Sequence, residues 1–106
     1  MQWTAQLKTG DMDKHDLKRF FGELLKEEKY ISSESMAVFG KLIRLTIAFR
    51  DRWKAEENEI VTIDDTRRAL DVYVTALKEG KLPDDLDKKT TELVKLWLRK
   101  INGKFY

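Results

Sequence analysis

The chain has no cysteine, one histidine, one proline and four side-chain amides (Gln2, Gln6, Asn58, Asn102). Each scarcity removes a class of chemistry. Without cysteine there are no disulfides and no thiolate metal sites, which suits a reducing compartment. With His15 alone, a catalytic triad, a two-histidine metal site and a histidine relay are all excluded. The sequence contains neither GxxxxGK[ST] nor GxGxxG, so no glycine-rich loop cradles phosphate. Few amides, high charge and no cysteine make a composition of the thermophilic kind. No apolar run approaches the roughly 18 residues of a membrane span. The opening MQWTAQLKTG has neither a basic n-region nor an apolar h-region, so no signal peptide is expected and cytoplasmic residence is the default.

What is present is a balanced, heavily charged globular composition. Of 106 residues, 42% are hydrophobic and 38% charged, with 21 Lys plus Arg against 19 Asp plus Glu. A length of this order predicts one domain, residues 1–106, with 1–12 as an N-terminal segment that is mobile or packs on the rest. The net charge of +2 demands no anionic partner, so only local clustering can argue for one.

The most hydrophobic stretch is SESMAVFGKLIRLTIAFRDRWKAEEN, residues 33–58. Its apolar residues, from Met36 to Trp53, cover more than a one-sided stripe, which predicts a long central helix buried by its neighbours. Around it the chain predicts three amphipathic helices. The first opens at Asp13, with Asp16 three residues on, and carries Leu17, Phe20, Phe21, Leu24 and Leu25 at helical spacing. Its Gly22, beside that stripe, suggests close approach of a neighbouring helix or, equally simply, tolerance of a poor helix former. The third runs from the Thr62–Asp65 cap through Leu70 and Tyr73 to Gly80. The fourth restarts after Leu82-Pro83-Asp84-Asp85, buries Leu86, Leu93, Val94, Trp97 and Ile101, and ends at Gly103. The expected fold is therefore all-α: a four-helix domain of about 14, 26, 16 and 17 residues per helix, with short connections.

No constellation signals catalysis, a metal or a cofactor. His15 stands among Asp13, Lys14 and Asp16 as a solvated residue. Asp64-Asp65 and Asp84-Asp85-Leu86-Asp87 fall at expected helix starts, where acids complement the dipole, and lack the EF-hand order of ligands. Two basic strips carry more information. Between Met36 and Trp53 the long helix has Lys41, Arg44, Arg50 and Arg52 against Asp51 alone. The last helix has Lys88, Lys95 and Arg99 opposite Leu93 and Trp97, joined by Lys89, Lys100 and Lys104. Such rows either neutralise phosphates or are plain solvated faces. Arg67-Arg68 adds to them only if the fold brings it alongside. Aromatics near segment ends, above all Trp53 beside Arg50 and Arg52, and Trp3, are candidates for contact with a protein partner.

From Ser33 to Leu77 the order is a serine-capped long helix, a short extended segment, VTIDD, and a helix with Arg68-Ala69-Leu70. This resembles the histone fold, of the centromere protein X type, with the Leu17–Leu25 helix in the place of the first histone-fold helix. It is also similar to the C-terminal lid of AAA+ helicases, where a Val-Thr-x-x-Asp cap starts a closing helix. The resemblance implies an assembly role and carries over no functional residue. Together these features point to a non-enzymatic helical module that pairs with itself or another protein through its long helix. In that reading it contacts nucleic acid, DNA or RNA, through its basic strips, and takes no small-molecule substrate and no membrane. The alternative is a viral or mobile-element adaptor that binds a host protein through Trp53 or Trp3 without nucleic acid.

Overall fold

The computed structural model describes residues 13–24, Lys26 and 33–103, and for residues 33–36 the backbone alone. Those residues form four α-helices and no strand: α1 (Lys14–Leu24), α2 (Ser33–Glu57), α3 (Ile63–Glu79) and α4 (Lys88–Asn102). The protein is all-α, as its periodicity requires. Trp3 and the segment 1–12, Leu25, the Tyr30-Ile31-Ser32 connection, the serine side-chain cap of α2 and the tail after Gly103 lie outside the described residues. The helices divide into two compact units, one ending at Ile63 and one beginning at Asp64.

In the first unit, α1 starts where its acids direct. The Asp16 backbone N–H donates to Asp13 Oδ1 at 2.8 Å, and the Asp13 N–H donates back to Asp16 Oδ2 at 3.3 Å. This reciprocal pair satisfies two otherwise free donors at the helix start. That backbone hydrogen bond from Asp16 is the main reason the exposed Asp13 carboxyl lies below its ordinary value. Leu17, Phe20, Phe21 and Leu24 are buried, and the Phe21 ring meets Phe39 of α2 at 5.0 Å between centroids.

Along α2 the buried side chains are Phe39, Leu42, Thr46, Phe49 and Trp53. Their spacings of three and four residues alternate without exception, so they form one seam. Val38, Ile43, Leu45 and Ile47 flank it half-buried, so the broad apolar surface read from the sequence resolves into a core seam and two shoulders. Thr46 is tolerated in that seam because its hydroxyl donates to the Leu42 carbonyl one turn back, at 2.6 Å. The helix ends at Asn58, whose φ of 54° takes the left-handed turn while its N–H donates to Lys54 O. Asparagine tolerates that conformation better than most side chains.

In the second unit, α3 buries Thr66, Ala69, Leu70, Tyr73 and Ala76, and closes on Gly80 at φ 77°. The start of α4 differs from expectation. It begins at Lys88, five residues after Pro83, because Asp87 takes the cap: its carboxylate accepts from the Thr90 backbone N–H at 3.0 Å. Asp84 and Asp85 therefore precede the helix, and the connection from Gly80 to Asp87 is longer than expected. Its eight residues reach about 26 Å when extended, enough to return along the roughly 25 Å of α3. They do return. Lys89, in the first turn of α4, bonds Asp65, in the first turn of α3, at 2.9 Å, and both side chains are largely shielded. Tyr73, midway along α3, donates its hydroxyl to Asn102 Oδ1, at the end of α4, at 2.7 Å. The two helices thus run in the same general sense. Between those contacts the Tyr73 and Trp97 rings meet edge to face at 5.6 Å. Burial raises the Tyr73 hydroxyl above its ordinary pKa, and the Asn102 bond partly offsets this.

Of the two readings of Gly22, the described residues favour tolerance of a poor helix former. It is exposed, and a methyl group added there meets no atom within 4 Å among the described residues, so none of the described helices approaches it closely. Gly22→Ala should therefore stabilise the protein by about 0.5–1 kcal/mol through helix propensity alone. Urea unfolding checks this: the midpoint should rise with an unchanged m-value.

Candidate nucleic-acid interface

The structure treats the two predicted basic strips differently. On α2, a turn of about 100° per residue puts Lys41, Arg44 and Arg52 on the outward side and carries Arg50 to the opposite flank. Lys41 and Arg44 are exposed. Arg50 is half-buried and bonds Asp51 Oδ1 through Nε at 3.1 Å and Nη2 at 3.0 Å. Arg52 lies 4.0 Å from Glu56 and holds its guanidinium 5.5 Å from the Phe49 ring centre. The helix also carries four acids, Glu34, Asp51, Glu56 and Glu57, against its five cations. Its field is close to balanced, and the expected strip of four does not form one row.

On α4 the row survives. The helix carries Lys88, Lys89, Lys95, Arg99 and Lys100 against Glu92 alone. Thr90, Leu93, Val94, Leu96, Trp97 and Leu98 are buried over an arc of about 200°. Lys88, Lys95 and Arg99 fall on the narrow remainder, opposite Trp97, with Glu92 among them. Lys89 leaves the row to pair with Asp65. Arg68 of α3, in contact with Asp65 at 3.5 Å, is brought close enough to the start of α4 for Asp87 to feel its charge. That meets, for Arg68, the condition under which the sequence would add it to the basic set. Arg67 is exposed on α3.

The Asp87 carboxylate anchors this helix electrostatically. Partial desolvation pushes its pKa up, but hydrogen bonding led by the Thr90 backbone N–H, with the Arg68 charge, outweighs that and leaves it below its ordinary value. The buried Thr90 hydroxyl makes no hydrogen bond of its own among the described residues.

Trp53 is not where an exposed partner contact requires it. It is 6% exposed, stacks on Phe49 at 5.3 Å, and donates its indole N–H to Glu59 Oε1 at 3.1 Å. A tryptophan with its ring in the core and its N–H on a surface carboxylate is a structural anchor. The one sequence signal for this is Glu59, a carboxylate six residues downstream of the tryptophan. Trp3, the other candidate, lies outside the described residues. His15 is exposed beside Arg19, with 3.4 Å between Nε2 and Nη2. Among the described residues no three carboxylate or imidazole groups converge as metal ligands, and no helix is long and apolar enough to cross a membrane. Leu77 is the single exposed large apolar side chain among them.

Compared with known proteins, the chain matches no family model, no curated protein and no solved structure. Its likeness to the histone fold and to the helicase lid therefore rests on sequence alone.

Two outcomes follow. Trp53→Ala should cost about 3–5 kcal/mol of stability, as truncation of a buried aromatic does, measured by denaturant unfolding. Asp87 works through its ionised form. Because its folded pKa is depressed, its contribution is full above pH about 4 and is lost as pH falls through the lower folded value. Asp87→Asn, which caps without titrating, should show a shallower acid loss of stability than the native protein. Asp87→Ala should cost about 1 kcal/mol near neutrality.

Proposed function

We propose that the protein is a non-enzymatic helical module of a nucleic-acid-handling assembly, and that α4 is the element that meets nucleic acid. One observation carries the reading: the exposed Lys88 and Arg99 and the half-buried Lys95 share the one unburied face of α4. A helix held rigidly from behind offers its cations at fixed spacing, so less side-chain and backbone entropy is lost on contact with phosphates. Lys41 and Arg44 on α2 are secondary contributors, and Arg50 and Arg52 are occupied within the fold.

Pairing through the long helix belongs to the same reading. Its support is the half-buried shoulder of Ile43 and Ile47, since the seam through Phe39, Phe49 and Trp53 is already covered. The adaptor alternative loses its main residue with Trp53 buried.

The test is fluorescence anisotropy with a labelled oligonucleotide at several salt concentrations. With three phosphate contacts, affinity should fall by about 40-fold between about 50 and 200 mM salt. Lys95→Ala combined with Arg99→Ala should weaken binding at low salt and reduce the salt slope by about 2. An absence of binding at 50 mM salt, with circular dichroism showing a folded protein, would overturn the nucleic-acid reading in favour of the adaptor.

A further inference from the structure

Resting on the nucleic-acid reading above, we infer that the ligand of α4 is double-stranded DNA, gripped at phosphates on the two sides of a groove without base-specific readout. Three observations lead there. The first is the shape of the row. Lys88, Lys95 and Arg99 are seven and four residues apart on one face of one helix, so they lie on a line about 16 Å long. The major groove of B-form DNA is about 12 Å wide. A helix laid across it puts Lys88 on one phosphate strand, and Lys95 with Arg99 on the other.

The second observation is the one acid in the row. Glu92 lies about 6 Å along the helix from Lys88 and 4–5 Å before Lys95. Across a groove, a carboxylate in that position faces the open groove and stands clear of both phosphate strands. Along a single strand, phosphates would pass directly over Glu92 and be repelled. The charge order +, −, +, + thus suits a bridged groove and opposes a strand running down the helix.

The third concerns stacking. Single strands are held by bases laid on exposed aromatic rings, in addition to cations. All seven aromatic side chains among the described residues are buried, none more than 6% exposed. Trp97 and Tyr73 face each other behind the row. Among the described residues this face offers phosphates a set of charges and offers bases no platform. Between the cations stand only Glu92, a single acceptor, and Thr91, whose hydroxyl already donates to the Asp87 carbonyl, so base readout is confined to one cytosine amino contact at most. Different duplex sequences should therefore bind alike.

The experiment compares four labelled probes with the full chain at about 50 mM salt: a DNA duplex of about 20 base pairs, a second duplex of shuffled sequence, an RNA duplex, and single-stranded oligo-dT of equal length. The expected result is that both DNA duplexes bind within about twofold of each other, and at least about tenfold more tightly than oligo-dT or the RNA duplex. Glu92→Gln should leave duplex affinity within about twofold and raise oligo-dT affinity several-fold, because the carboxylate opposes only a strand running over it. Oligo-dT or RNA binding as tightly as duplex DNA overturns the inference while the nucleic-acid reading stands. Large differences between the two DNA duplexes overturn the absence of base readout. Binding of none of the four overturns both.

Discussion

Where α4 begins is the constraint on which the second unit depends. Had the helix started just after Pro83, as acids at 84 and 85 invite, the connection from α3 would be too short to run back along it. Asp87 prevents this by capping at 3.0 Å through Thr90, with the Thr91 hydroxyl bonding the Asp87 carbonyl at 2.8 Å. The residues freed from the helix become the return path. Only then can Lys89 reach Asp65, and Asn102 accept from Tyr73. The cap at Asp87 and the return of α4 along α3 thus go together, and with them which residues are locked and which face outward.

The same logic separates cations that hold the fold from cations that remain at its surface. Lys89, Arg50 and Arg52 each have an acid or an aromatic ring within reach. Arg68 touches Asp65 near the start of α4. Against a whole-chain charge of only +2, the surplus is concentrated on α4, five cations to one acid. Local asymmetry of this kind, more than net charge, creates a field that phosphates can sense.

Burial also explains what became of the aromatic surplus. Phe49 and Trp53 stack, Phe20, Phe21 and Phe39 meet around the α1–α2 junction, and Tyr73 closes on Trp97. Rings that looked redundant for a helical core are used in pairs to fill it, each pair adding to the area it buries. The polar handles of Trp53 and Tyr73 are both satisfied within their own units, by Glu59 and Asn102.

Helix existence and type were legible in the sequence because they depend on local periodicity and on caps within a few residues. The reciprocal Asp13–Asp16 cap, the glycine at each of positions 80 and 103, and the outward row of Lys88, Lys95 and Arg99 all follow from spacing alone. The sequence could not decide between Asp84, Asp85 and Asp87 as the cap of α4, since each offers the same chemistry and only the position of α3 selects one. Nor could it tell that Trp53 turns inward or that Arg50 leaves the basic row to bond Asp51. Those outcomes depend on which surface a neighbour covers. Local pattern determined the helices and their charged faces; tertiary packing, which alone decides who loses contact with water, determined which of those faces remain available.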